Sequence, residues 1–164
     1  LARRLADAGI SAVGLHPRTA DQFYHGKADR DVAAAVAACV SVPVIASGDV
    51  TSFASANEVV ARTGAAAVML ARGVAGRPWL AGDLVAGIDR PRPPLAAVVA
   101  DLRRLLARAA AERGPERAAR WARKLLAWYL RPSGISAEMI ESLRRHPDAV
   151  VLDAALASLV GRGS

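Results

Sequence analysis

Short apolar runs alternate with helical stretches through the first 80 residues, and this alternation restricts the fold more than any other feature. The runs are AVGL (12–15), VPVIA (42–46) and AAAVMLA (65–71), and none alternates polar with apolar residues. A helical stretch or glycine-rich turn follows each run: DRDVAAAVAACV (29–40), SFASANEVVART (52–63) and GVAGRPWL (73–80). Such runs are typical of buried parallel strands joined by helices. We therefore predict an α/β fold with a parallel sheet covered on both faces.

Three strands are too few to close a barrel, and the edge of the first strand would be left unpaired. The chain begins with Leu1 instead of Met, within a segment that reads as a helix, LARRLADAG. We therefore expect further strand–helix units to precede Leu1 in a longer protein.

The second half of the chain has a different pattern. Three prolines in DRPRPP (89–94) exclude a helix there and indicate a linker. Beyond them the apolar spacing is helical throughout. We predict a small all-α helical bundle over 95–164, with helices at 95–112, 115–130, 135–146 and 148–161.

Several classes of protein are excluded by composition. No apolar run reaches the roughly 18 residues that cross a bilayer. A single cysteine, Cys39, allows no internal disulfide and fits a reducing compartment. No cluster of His and Cys suits a metal, and there is no catalytic carboxylate pair or nucleophile elbow. We expect a cytoplasmic protein without a resident metal and without membrane association.

Polar residues gather where the predicted strands end. His16 and Arg18 follow the first strand, Ser47, Gly48 and Asp49 follow the second, and Arg72 and Gly73 follow the third. The carboxyl ends of parallel strands meet at one edge of a sheet, which is where such folds bind ligands. Two glycines before helices and an arginine suit a phosphate. Ordinary turn chemistry accounts for the same residues, so this pattern leaves both interpretations open.

Positive charge is concentrated in the second half. Residues 103–131 contain nine basic side chains against Glu112 and Glu116, a net +7 that equals the charge of the whole chain. On a helix over 117–131, four residues share one side within about 60°, with Arg120 adjoining and Arg123 beyond the far edge of the apolar side. The four are Arg117, Lys124, Trp128 and Arg131. A solvated basic face and an RNA-binding face both fit this arrangement.

Three motifs together resemble a known family. They are HPRTADQFYHGKAD (16–29), VPVIASGDV (42–50) and TGAAAVMLARGVAGRPWL (63–80), which follow the order and spacing of the C-terminal barrel motifs of bacterial tRNA-dihydrouridine synthases. RWARKLLAWYL (120–130) is similar to the R-K-H-x-x-W-Y segment of that family's helical tRNA-binding domain. The similarity covers nearly the whole chain.

The resemblance implies the C-terminal part of a (β/α)₈ barrel, about three βα units within residues 1–88, followed by a tRNA-binding helical domain. It also implies an enzyme, monomeric as a whole, that reduces uridine in tRNA to 5,6-dihydrouridine with FMN and NADPH. The residues expected at the cofactor are His16, Ser47, Gly48, Asp49, Ala71 and Arg72. Those expected at the substrate or tRNA are Arg18, Arg117, Arg120, Arg123, Lys124 and Trp128.

The chain departs from the family pattern at several positions. Ser47 replaces an Asn, Ala71 a Gly, and Leu125 the His of the R-K-H segment. Cys39 does not match the position of the catalytic cysteine, so no catalytic residue is assigned and the chain alone is expected to be inactive. Two alternatives remain: another FMN- or phosphate-binding barrel oxidoreductase acting on a small metabolite, and a non-catalytic RNA-binding remnant.

Overall fold

The computed structural model describes residues 1–23 and 25–161. Tyr24 of the first motif and the last three residues of the predicted helical domain lie outside this range. The contacts divide the chain into two compact units, one of residues 1–74 and 78–90 and the other of residues 75–77 and 91–164. In the first unit the elements are α1 (Ala2–Asp7), β1 (Val13–Leu15), α2 (Arg30–Cys39), β2 (Val44–Ser47), α3 (Phe53–Thr63), β3 (Ala67–Met69) and α4 (Leu80–Ala86).

The three strands form one parallel sheet in the order β1-β2-β3, which confirms the predicted α/β class. Val13 pairs with Val44 in the first ladder, and Ile45 pairs with Ala67 in the second. The middle strand ends on Ser47, so Ser47 belongs to the strand instead of following it.

Helices cover only one face of this sheet, and the prediction that both faces are covered is wrong for the described residues. The covered face holds Ala46, which is fully buried and packs with Val59 of α3. On the opposite face Gly14 and Ala67 are exposed, and Met69 is 47% exposed. An apolar run does not show whether the second face of a strand is covered by helices or faces the interior of a barrel. Both environments favour Val, Ile and Ala.

Side-chain caps define where α2 and α3 begin. The side chain of Asp29 accepts hydrogen bonds from the backbone N–H groups of Asp31 and Val32, so Asp29 caps α2. Ser52 caps α3 through the N–H of Ser55. These bonds satisfy donors that a helix leaves free at its first turn.

The second unit is helical in its described part. It contains α5 (Leu95–Arg113), α6 (Pro115–Leu130), α7 (Ala137–Arg144) and α8 (Ala149–Gly161). Helix α5 packs on α6 and α8, and α6 packs on α7. The shared interior is built from aliphatic side chains of all four helices: Leu102, Leu106, Leu126, Leu130, Ile140, Leu152 and Leu156. No helix in the described part of the chain is long and apolar enough to cross a membrane.

The short segment 75–77 is held inside the second unit by the end of α6. Arg92 donates to the carbonyl of Tyr129 at 2.6 Å and to that of Gly76 at 3.3 Å, and its Nε donates to Ser133 Oγ at 2.9 Å. Burial and the neighbouring Arg77 lower the pKa of Arg92. Gly76 has a φ of +69°, and a Cβ there would collide with the carbonyl of Trp128. Only glycine allows this close approach.

We expect Gly76→Ala to lower the free energy of unfolding by about 2 kcal/mol or more, because it adds a steric clash to an unfavourable backbone conformation. Chemical denaturation of the complete gene product, followed by circular dichroism, measures the change. Gly134→Ala is the matched control, because Gly134 has a φ of +83° in the same unit but no atom near its Cβ position. Equal losses for the two variants would show that the approach to Trp128 does not constrain the segment.

Candidate functional site

The loops that follow β1 and β2 are joined by a set of short polar contacts. His16 Nδ1 lies 2.8 Å from Ser47 Oγ, and Arg18 Nη2 lies 2.6 Å from Asp49 Oδ1. The backbone N–H of Ala28 donates to Asp49 Oδ2 at 2.7 Å. Thus residues separated by about 30 positions in sequence meet at the carboxyl edge of the sheet.

The turn after β2 has an unusual backbone. Gly48 has a φ of +109° and Asp49 a φ of +56°, both in the region that favours glycine. A Cβ on Gly48 would lie 2.6 Å from the Cβ of Ala28. Arg30 Nη1 donates to the carbonyl of Gly48 at 3.1 Å, which fixes the turn from its other side. The loop after β1 therefore contacts the loop after β2 on two sides of Gly48, through Ala28 and Arg30.

Asp49 is the anionic centre of this contact. Burial of its carboxyl group opposes ionisation, but the N–H of Ala28 and the guanidinium of Arg18 outweigh burial and hold the pKa of Asp49 below its ordinary value. The carboxylate therefore stays charged at neutral pH, with both oxygens bonded inside the protein.

The side chain of Arg18, a residue expected at the substrate, is buried. Its side chain is 2% exposed and is held by Asp49 and by the carbonyl of Gly26 at 3.0 Å. Its Nε and Nη1 atoms are also buried but have no hydrogen-bond partner among the described residues. Buried donors without acceptors are rare in native structures.

The third loop contributes through its backbone. Arg72–Val74 forms a 3-10 turn directly after Ala71, and both Ala71 and Arg72 are exposed. A Cβ on Gly73 would collide with the carbonyl of Val50, so the third loop touches the second there. The exposed end of this turn could hold an anion close to the sheet edge.

The expected anion site at the start of α3 is already filled from within the chain. The backbone N–H groups of Phe53 and Ala54 donate to the two oxygens of Asp89 at 2.7 and 3.1 Å. An internal carboxylate thus takes the donors that a helix start offers to anions. The first two N–H groups of α3 are therefore used within the chain. The sequence carries no signal that Asp89, placed in the predicted linker, would serve here.

The predicted basic face lies on α6. Ala118, Ala122 and Leu126 are buried on its inner side, whereas Arg123 is half-buried. The outer side carries the exposed residues, which we call the α6 basic row: Arg117, Arg120, Lys124 and Trp128. None of the three cations in this row forms an ion pair within the described part of the chain.

The arginines of α5 are in a different situation. Arg103 makes two bonds to Asp153 at 2.7 Å, Arg104 pairs with Asp101 at 2.7 Å, and Arg108 pairs with Glu112 at 3.1 Å. Carboxylates therefore pair with three of the four arginines of α5, whereas the cations of the α6 basic row have no such partner among the described residues.

Cys39 lies apart from the linked loops. Cys39 is the last residue of α2, which places it towards the amino ends of the strands, away from His16. Among the described residues, no group of three His, Cys, Asp or Glu side chains could hold a metal ion.

Sequence reasoning missed Ala28 and Arg30, whose backbone N–H and side chain hold the second loop. Ala28 lies near the end of the motif HPRTADQFYHGKAD (16–29), so the motif could have pointed to it. Ala28 also lies against Gly48, because a Cβ on Gly48 would come within 2.6 Å of the Cβ of Ala28.

Several known proteins are similar to this chain in sequence. The family model described as dihydrouridine synthase matches residues 1–155. A probable tRNA-dihydrouridine synthase of Rhizobium leguminosarum bv. phaseoli is 43% identical over 130 residues, covering 79% of this chain and 40% of the relative. The tRNA-dihydrouridine synthase B of Xanthomonas axonopodis pv. citri is 39% identical over 155 residues, covering 91% and 47%. That of Escherichia coli K12 is 38% identical over 136 residues, covering 79% and 42%.

The chain thus spans less than half the length of these curated relatives. The family match extends over both units, from the strands with their linked loops to the helices that carry the α6 basic row. The chain belongs to the dihydrouridine synthase family.

Proposed function

We propose that this chain is part of a flavin-dependent tRNA-dihydrouridine synthase, which reduces uridine in tRNA to 5,6-dihydrouridine. The α6 basic row is the observation that carries the proposal beyond family membership. A reductase of a small metabolite needs no unpaired cationic surface next to an exposed tryptophan. A polyanion with stackable bases uses both.

The two units correspond to two proposed parts. The first is part of a (β/α)₈ barrel within residues 1–88, and the uncovered sheet face with Gly14, Ala67 and Met69 is its interior side. Side chains of further strands would fill that face, as in other barrels. The second is an all-α tRNA-binding bundle over 95–164, and 89–94 is the connection between the two.

The loop residues fit a phosphate-bearing flavin. Gly48 and Gly73 let the three loops pack closely at the sheet edge, because a Cβ on Gly48 would collide with Ala28 and a Cβ on Gly73 would collide with Val50. Arg72 is exposed in the loop that follows the third strand. In barrels the loops after the last two strands commonly hold phosphate groups. We therefore assign the cofactor site to His16, Ser47, Gly48, Asp49, Ala71 and Arg72.

When bound, FMN supplies hydride chemistry, with NADPH as the source of reducing equivalents. His16 is oriented for this site, because Ser47 engages Nδ1 and leaves Nε2 for the ligand. No residue of this chain matches the catalytic cysteine, so the proton-donating group lies outside it. The chain alone is therefore proposed to be inactive.

The α6 basic row is proposed to bind tRNA phosphates. Arg117, Arg120 and Lys124 follow one another along one side of the helix, so they can track a backbone of regularly spaced charges. Trp128 is 47% exposed at the end of the row and offers a stacking surface. Half-buried Arg123 borders the row, and its Nε has no partner among the described residues.

The other proposed properties are a cytoplasmic location and a monomeric complete enzyme.

We expect Lys124→Glu to weaken tRNA binding by the complete gene product about tenfold near 0.1 M salt, because it removes one phosphate contact and adds a repulsive charge. The slope of log affinity against log salt should fall by about one or more. Filter binding across a salt titration measures both. Arg108→Glu is the control, because it makes the same change of charge on α5 at a cation already paired with Glu112. Equal losses for both variants would point to net charge alone and remove the α6 basic row from the interface.

The enzymatic function itself is tested in the source organism. We expect deletion of the gene to remove dihydrouridine from at least one tRNA position, measured by mass spectrometry of purified tRNA. The complete gene should restore it, and the purified product should contain yellow, FMN-reconstitutable flavin. Unchanged dihydrouridine at every position, with a product that binds tRNA but no flavin, would leave the non-catalytic RNA-binding alternative in place.

A further inference from the structure

The hydroxyl group of Ser47 has one hydrogen-bond partner among the described residues. Ser47 is the last residue of β2 and is 7% exposed. Its Oγ lies 2.8 Å from Nδ1 of His16, in the loop after β1. Buried hydroxyl groups in native structures are hydrogen-bonded, and a hydroxyl hydrogen rotates towards the acceptor that is available. The hydrogen of the Ser47 hydroxyl is therefore satisfied only when it points at Nδ1.

This contact determines which nitrogen of the neutral His16 ring carries the hydrogen. In a neutral imidazole one nitrogen is a donor and the other is an acceptor. If Nδ1 carried the hydrogen, it would donate to Ser47 and leave the buried hydroxyl hydrogen without an acceptor among the described residues. If Nδ1 is bare, it accepts from the hydroxyl, and both groups are satisfied. The cost of an unsatisfied buried donor favours the second arrangement by about tenfold or more.

The other ring nitrogen of His16, Nε2, is the one that a ligand can use. His16 is exposed, and the hydrogen bond of its ring within the described part of the chain is the one that Nδ1 makes to Ser47. The ring lies beside the turn after β2, because its Cε1 is 3.6 Å from the point where Gly48 would carry a Cβ. Nε2 is therefore accessible at the carboxyl edge of the sheet, whereas Nδ1 is engaged within the protein.

We propose that Ser47 is a positioning residue, whose hydroxyl donates to Nδ1 of His16, keeps the ring hydrogen on Nε2 and so makes His16 a hydrogen-bond donor to an acceptor atom of the flavin. This inference rests on the proposed function and gives Ser47 a role through His16 within the cofactor site. The bond made by one nitrogen of a histidine sets which nitrogen is protonated. Without the Ser47 hydroxyl, both tautomers of His16 become accessible and the ring loses its anchor.

The position of the hydrogen is measured by ¹H–¹⁵N correlation spectra of the complete gene product, labelled at histidine and free of ligand, at a slightly alkaline pH. Bare and hydrogen-bearing ring nitrogens differ widely in ¹⁵N chemical shift, and the His16→Gln variant identifies the signals of His16. We expect the tautomer with hydrogen on Nε2 to exceed the other about tenfold or more in the wild-type protein. A wild-type ring with its hydrogen on Nδ1 would overturn the proposal.

Three serine variants test whether Ser47 is the cause of this preference. Ser47→Ala should reduce the excess of the Nε2–H tautomer by about threefold or more, because it removes the donor to Nδ1. Ser47→Thr retains a hydroxyl group and should retain the excess. Ser41→Ala is the matched control, because Ser41 is an exposed serine that precedes the same strand. A tautomer ratio that Ser47→Ala leaves unchanged would also overturn the proposal.

A double-mutant cycle on FMN affinity, measured by flavin fluorescence, separates positioning from direct contact. Ser47→Ala should weaken FMN binding about threefold, because the ring must then be ordered when the flavin binds. In the His16→Gln background, Ser47→Ala should leave the affinity unchanged, since a glutamine amide supplies its own donor. An equal loss in both backgrounds would show that Ser47 contacts the flavin itself and would overturn the proposal.

The spectra and the affinities distinguish failure of this inference from failure of the proposed function. A wild-type protein that binds no FMN contradicts the proposed function, but the spectrum of the free protein still locates the hydrogen of His16. A protein that binds FMN with the hydrogen of His16 on Nδ1 contradicts this inference alone. Thermal unfolding identifies a serine variant that does not fold, and the wild-type spectrum decides the tautomer without any variant at Ser47.

Discussion

The ion pair between Arg18 and Asp49 joins the two loops on which the rest of the site depends. Taking two charges out of water is costly, and the cost is recovered only when hydrogen bonds satisfy both groups. Asp49 meets this condition through the N–H of Ala28, whereas Arg18 meets it on one edge only.

The same pair explains the backbone of the turn. Gly48 and Asp49 occupy successive positive-φ positions, and the second is not a glycine. Short polar side chains tolerate this conformation best, and here the Asp49 side chain is tied at both oxygens to the opposing loop. The turn then passes over Ala28 so closely that Gly48 can carry no side chain. Charge pairing, backbone conformation and close approach are therefore parts of one constraint.

Residues close in sequence were predictable, and contacts between distant loops were not. Strand positions followed from apolar runs, and the helices that begin after Asp29 and Ser52 followed from helical stretches, because each cap acts on its own helix. The exposed row of α6 followed from helical spacing. The burial of Arg18 depends on Asp49, 31 residues away, and the start of α3 depends on Asp89, about 35 residues away. Local patterns do not specify such pairings.

The departures from the family pattern are each absorbed by the structure. Ser47, which replaces an Asn, keeps a polar contact with His16 at 2.8 Å. Ala71, which replaces a Gly, does not have a positive φ, so its Cβ brings no backbone strain. Leu125 lies half-buried towards the interior of α6, where a histidine would add nothing to the basic row. Since none of the three disturbs the linked loops or the exposed cations, they provide no reason to regard this chain as a remnant that has lost the family's chemistry.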